Sequence, residues 1–89
     1  MPKVIIPPPY RGPTQGEAEI RVEGRTVREC LNAVNAQYPG FQDLVFDADG
    51  QLPDFVRLFV NGAPVDPGAL DVRLARDDEV SVLAAIAGG

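Results

Sequence analysis

The chain has no histidine and a single cysteine, Cys30. Without histidine the usual zinc sites and imidazole acid–base catalysis are excluded, and one thiol can build neither an intrachain disulfide nor a metal cluster. Lysine also occurs once only, at Lys3. No apolar run approaches the roughly 20 residues that span a bilayer, and the N-terminus lacks the apolar core of a signal peptide, so a cytoplasmic protein is expected. Basic charge is in deficit, with eight Lys and Arg against thirteen Asp and Glu and a net charge of −5. That balance argues against nucleic acid or an anionic membrane as partner and makes a basic protein surface the natural complement.

What is present is enough for one domain with one small core: 89 residues, 45% of them apolar, with no internal repeat and no dividing linker. Lys3-Val4-Ile5-Ile6 is a short β-prone run, and Pro7-Pro8-Pro9 ends its capacity to donate ladder hydrogen bonds. Those prolines read as a stiff exit into the loop through Gly12, Pro13 and Gly16 rather than as a polyproline ligand. From Glu17 to Glu23 the chain alternates, with Ala18, Ile20 and Val22 on one side and Glu19, Arg21 and Glu23 on the other. This predicts a second strand with one wet face, hairpin-paired to the first.

Thr26 followed three residues later by Glu29 is a capping box, and Val27, Cys30, Leu31, Val34 and Tyr38 follow at helical spacing until Pro39-Gly40 stops them. Cys30 lies within that stripe and reads as a packed core thiol, not a nucleophile. Phe41, Leu44, Val45 and Phe46 predict a short helical turn over the core. Asp47-Ala48-Asp49-Gly50 has the look of a calcium-loop fragment, but the later ligands are missing and it reads as a solvated turn.

Phe55 to Val60 is the strongest predicted strand, closed by the hairpin turn Asn61-Gly62 and returning through Ala63-Pro64-Val65 at an edge. After turns at Asp66-Pro67-Gly68 and Arg76-Asp77-Asp78, the last strand runs from Glu79 to Leu83. Strand parity puts Leu58, Val60, Val80 and Val82 inward and turns Arg57, Phe59, Ser81 and Leu83 outward. If the two strands are neighbours, Phe59 and Leu83 form an apolar patch, with Arg57 beside it, at the root of whatever follows. Residues 1–83 are thus expected to form the folded domain. Residues 84–89, Ala84-Ala85-Ile86-Ala87-Gly88-Gly89, are expected to be a tail. Two terminal glycines carry no side-chain bulk and accept almost any backbone geometry, so such an end can thread a channel too narrow for other residues.

Strand, strand, capped helix, strand ending in Asn-Gly, last strand, Gly-Gly: in this order the chain resembles the ubiquitin-like sulfur carriers of the MoaD/ThiS family. Phe59-Val60-Asn61-Gly62, Asp77-Asp78-Glu79-Val80 and Ile86-Ala87-Gly88-Gly89 carry the likeness, which covers nearly the whole chain. The length, the early prolines and the Ala-Gly-Gly end are most similar to the branch that serves cysteine synthesis. Two departures stand out: Asp77 where many members have Gly, and Ala84-Ala85 where many have a Pro.

The resemblance implies an α+β, ubiquitin-like β-grasp: a mixed sheet of four or five strands packed on the Thr26 to Tyr38 helix. It also implies a protein co-substrate with no catalytic residues and no bound metal or cofactor of its own. An α-carboxylate is ionised at neutral pH and is a poor electrophile, so it needs activation. By resemblance, an E1-like adenylyltransferase uses Mg-ATP to adenylate Gly89, and a sulfur donor then makes a thiocarboxylate. The sulfur passes to a biosynthetic enzyme of cysteine, molybdopterin or another sulfur-containing metabolite. Gly88 and Gly89 would be the activated end, with Ala85, Ile86 and Ala87 as the tail before them and Phe59, Leu83 and Arg57 as the docking residues. Two other readings stay open: a modifier joined to lysines through Gly89, and a non-covalent adaptor with an incidental diglycine.

Overall fold

Thr26 starts the longest of the described helices by turning its side chain back on the chain: its Oγ1 accepts from Glu29 N at 3.1 Å. The return arm of the box is displaced by one residue, because Glu29 Oε1 accepts from Arg25 N at 3.2 Å rather than from the Thr26 amide. Helix α1, Val27–Gln37, buries Val27, Cys30, Leu31 and Val34 and leaves Tyr38 half-buried at its C-cap. Gly40, in the left-handed region at φ 102°, then redirects the chain into the short helix α2, Phe41–Val45. The computed structural model describes residues 1–84.

Five strands form one sheet: β1 Lys3–Ile5, β2 Glu19–Arg21, β3 Val56–Val60, β4 Ala63–Pro64 and β5 Glu79–Ala84, in the order β2-β1-β5-β3-β4. The β1–β5 pair is parallel and the other three are antiparallel, so the sheet is mixed. The helices cover one face. Ile20, Val22, Leu58, Val80 and Val82 point into the core, as strand parity predicts, against Leu31 and Val34 of the α1 stripe, and Val4 and Ile6 are both buried with them. Val60 departs from its expected burial and is only half-buried, because it borders a cleft lined by Val27, Val65, Val72 and Leu74.

β3 and β4 are each one residue shorter than expected, starting at Val56 and ending at Pro64, and other segments differ for local reasons. β2 is three residues, not seven, since β1 offers only three partners; single bonds from Ile6 N to Ala18 O (2.8 Å) and Val22 N to Pro2 O (3.0 Å) prolong the pairing. The proline exit into the loop is compact. Pro8–Tyr10 forms a 3-10 turn that buries Tyr10, and the fully buried Thr14 braces the loop by donating to Glu17 O at 3.0 Å. At the other end, β5 runs one residue past Leu83, so Ala84, where the sequence suggested a tail, pairs with Val56.

Candidate functional site

The site is built on the sheet face opposite the helices. In the β3–β5 ladder Arg57 lies opposite Leu83 and Phe59 opposite Ser81, and residues directly opposite share a face. Phe59 and Leu83 are therefore diagonal neighbours on the outer face, with Arg57 between them. Leu83 is 46% exposed, a large apolar side chain on the penultimate residue of β5. The patch is wider than the sequence suggested. Ile5 is also opposite Ser81, from the β1 side, and Pro64 is opposite Phe59, so Ile5, Ser81, Phe59 and Pro64 form one row across four strands. Ile5 was missed because Val4-Ile5-Ile6 is apolar at every position; only the register tells which of the three faces out. The row is flanked by Lys3, which is ion-paired with Glu19 at 3.7 Å and Glu79 at 3.5 Å.

A hydrogen-bonded lock fixes where β5 begins. Asn61, at φ 51°, and Gly62, at φ 86°, make the left-handed turn that closes β3 and β4. The Asn61 side chain reaches across to the next turn, donating to Asp78 Oδ1 at 2.9 Å and accepting from Glu79 N at 2.9 Å. Asp78 Oδ2 accepts from Ala75 N at 2.8 Å. The two motifs read separately in the sequence, Asn-Gly and Asp-Asp-Glu, are thus one device, and through it the hairpin sets the register of β5.

The lock has a pH signature. The hydrogen bond from Asn61, then that from the Ala75 amide, pulls the Asp78 carboxyl below its ordinary value of 3.8. A lowered folded-state pKa contributes stability that is present above the unfolded value and is lost as pH falls through the folded one. Asp78→Asn removes this titration. Its melting temperature is expected to fall less steeply than the wild type's below about pH 4, measured by acid titration of thermal unfolding. Equal slopes would show that the lock does not sense protonation.

Cys30 is buried, and its thiol is pushed up to about 11 by burial and by the nearby Glu29 charge. It is a core residue, as its place in the stripe suggested. Asp47 spends its carboxylate on the backbone, Oδ1 accepting from Asp49 N at 2.9 Å and Gln51 N at 3.0 Å, so the loop is a braced turn. Among the described residues no group of three or more His, Cys, Asp or Glu could hold a metal ion. Nor is any described helix long and apolar enough to cross a membrane. The expected activated end, Gly88 and Gly89, and the tail residues Ala85, Ile86 and Ala87 lie outside the described residues.

Comparison with known proteins decides between the families this geometry could serve. The model of the ThiS family matches residues 9–89. The chain belongs to the ThiS family. Among relatives, the sulfur carrier protein CysO of Mycobacterium bovis is 33% identical over 89 residues, covering 97% of this chain and 96% of its own. A putative sulfur carrier protein of Archaeoglobus fulgidus is 37% identical over 78 residues, covering 84% and 86%. A chain in the crystal structure of the Amycolatopsis orientalis BexX/CysO complex superposes with a TM-score of 0.89 at 29% identity, over 100% of both chains. The ThiS-family fold is the ubiquitin-like β-grasp expected from the resemblance.

Proposed function

We propose that this ThiS-family protein is a sulfur carrier whose Gly89 α-carboxylate is adenylated by an E1-like enzyme and converted to a thiocarboxylate. One observation carries the reading: the family match continues through residue 89, the end that the sequence marks with Gly88-Gly89. In the proposed chemistry a carboxylate oxygen of Gly89 attacks the α-phosphorus of Mg-ATP and pyrophosphate leaves. Hydrosulfide then attacks the acyl carbon, AMP leaves, and loss of the S–H proton leaves the sulfur on Gly89 as the thiocarboxylate. The ATP site belongs to the activating enzyme; this chain supplies the reacting carboxylate and the surface that is gripped. The reading requires a free α-carboxylate on Gly89. The CysO relatives support cysteine synthesis as the receiving pathway.

The proposed grip is the outer face around Phe59, Leu83 and Arg57. Single exposed apolar residues are common, but a contiguous row beside the root of a reacting end is where a partner gains by excluding water. Phe59→Asp puts a charge at the centre of that row. The expected result is an increase of at least about tenfold in the KM for the carrier, with the melting temperature held within a few degrees because Phe59 lies outside the buried core. Unfolding of this variant would show that Phe59 is a core residue instead. The proposed activity itself is tested by ATP–pyrophosphate exchange with the cognate E1-like enzyme. Exchange that depends on this protein supports the reading; exchange indifferent to its presence refutes it.

A further inference from the structure

Positive charge is scarce in this chain, and three of its eight basic side chains meet in one place. Arg25, Arg73 and Arg76, all exposed, line one cleft with Pro2 and Gly24. The backbone fixes their positions. Thr26 and Arg73 form an antiparallel bridge, Leu74 N donates to Arg25 O at 2.7 Å, and Asp78 Oδ2 steadies the turn at Arg76 by accepting from Ala75 N at 2.8 Å. Lys3, Arg28 and Arg11 are by contrast committed, Lys3 to Glu19 and Glu79, Arg28 to Asp71, and Arg11 Nε to Ile6 O at 2.9 Å. Among the described residues the three cleft guanidiniums have neither an ion-pair nor a hydrogen-bond partner. Glu23 is the single carboxylate among the residues lining this cleft, so positive charge prevails there by three to one.

The arginine cleft adjoins the apolar cleft that Val60 borders, because Arg73 and Leu74 line both. The apolar cleft has a volume of about 290 Å³, room enough for an aliphatic side chain. Val72 is 58% exposed, and Val60, Val65 and Leu74 are only half-buried, so a branched-aliphatic lining is offered to solvent. The two carboxylates that line it are already engaged: Asp66 Oδ1 accepts from Gly68 N at 2.9 Å, and both oxygens of Asp78 belong to the lock with Asn61 and Ala75. Val27 of α1 also lines this cleft, which places it on the helix side of the sheet, away from the outer face of Phe59 and Leu83. Val60 lies opposite Val80, about 14 Å of strand before Ala84.

We propose that the joined clefts dock a peptide segment of a partner protein in which an aliphatic side chain is flanked by acidic ones. The aliphatic group enters between Val60, Val65, Val72 and Leu74, and the carboxylates pair with Arg73, Arg25 and Arg76. Guanidinium groups take carboxylates in paired hydrogen bonds and hold their charge at any working pH. The apolar half selects against nucleic acid, whose phosphates gain nothing from a branched-aliphatic cleft and are repelled by the net charge of −5. Neither cleft is lined by Phe59, Leu83 or Arg57, so this surface is separate from the proposed grip and would serve a carrier, a modifier or an adaptor alike.

The test is a titration of the isotope-labelled protein with a capped hexapeptide of two isoleucines between pairs of glutamates, followed by amide chemical shifts. Saturable shifts at Val65, Val72, Arg73 and Leu74, with a Kd of about 1 mM or tighter, are expected. Arg73→Glu and Val72→Ser should each weaken binding at least about fivefold, with the melting temperature held within a few degrees because both side chains are exposed. A peptide with glycines in place of the isoleucines should bind at least about fivefold more weakly, and one with lysines in place of the glutamates should not bind. Shifts that never saturate, or that saturate only outside the two clefts, would overturn the inference. Equal affinity for the glycine peptide or for a short oligonucleotide would reveal a general anion patch and overturn it as well. None of these outcomes bears on pyrophosphate exchange, which tests the carrier reading separately.

Discussion

Deletion of Gly89 is expected to abolish ATP-dependent pyrophosphate exchange and to leave the melting temperature unchanged. Among the described residues every member of the buried core lies between Val4 and Val82, well before Gly89 in the chain. The chemistry has no such tolerance. Acyl-adenylate formation needs the carboxylate within roughly 3 to 3.5 Å of the phosphorus it attacks. One missing residue displaces the carboxylate by up to about 3.5 Å along an extended chain. One added residue should do equal damage, and Gly88→Val nearly as much, because a branched side chain cannot follow glycine through a channel fitted to it. The assay is exchange beside a melting curve. Full activity in the deletion would remove both the carrier and the modifier readings and leave a non-covalent adaptor.

Phe41→Ala is expected to produce the largest loss of stability. Phe41 is fully exposed to neighbours and not at all to solvent, and it is the largest of the completely buried side chains. It opens α2, whose Gln42 amide is held by Asn35 Oδ1 of α1 at 3.0 Å, so the site cannot readily collapse onto the cavity left behind. Truncating a buried Phe costs about 3 to 5 kcal/mol. A domain of this size has a total stability of about 4 to 13 kcal/mol. The melting temperature should therefore fall by on the order of 20 °C, and the denaturation midpoint should move in parallel. A loss under about 1 kcal/mol would show that α2 does not seal this core. The sheet's outer face would be weakened only through the lost support beneath it.

Elements whose determinants are local were legible in the sequence. The Thr26 cap, the α1 stripe, the Asn61-Gly62 turn and the inward set Leu58, Val80 and Val82 follow from spacing and turn chemistry that no distant residue can override. What was not legible depends on pairing. Whether Ile5 faces in or out is decided by its ladder with β5, and the half-burial of Val60 by the cleft it borders beside Val65 and Leu74. Read alone, Asn61 and Asp78 are two turn residues; the lock between them exists only once β3 and β5 are neighbours. Of the candidate site, Phe59, Leu83 and Arg57, expected from the sequence to be docking residues, are brought onto one face. The reacting end was named from glycine chemistry and family resemblance, and it lies beyond Ala84.

The central claim is most directly tested by the intact mass of the protein taken from its native cells under sulfur-replete conditions. The account predicts a species ending at Gly89 and about 16 Da heavier than the free carboxylate, as one oxygen is exchanged for the more nucleophilic sulfur. A population ending at Gly89 only as the plain carboxylate, with the activating enzyme present, or one retaining residues after Gly89, would contradict it.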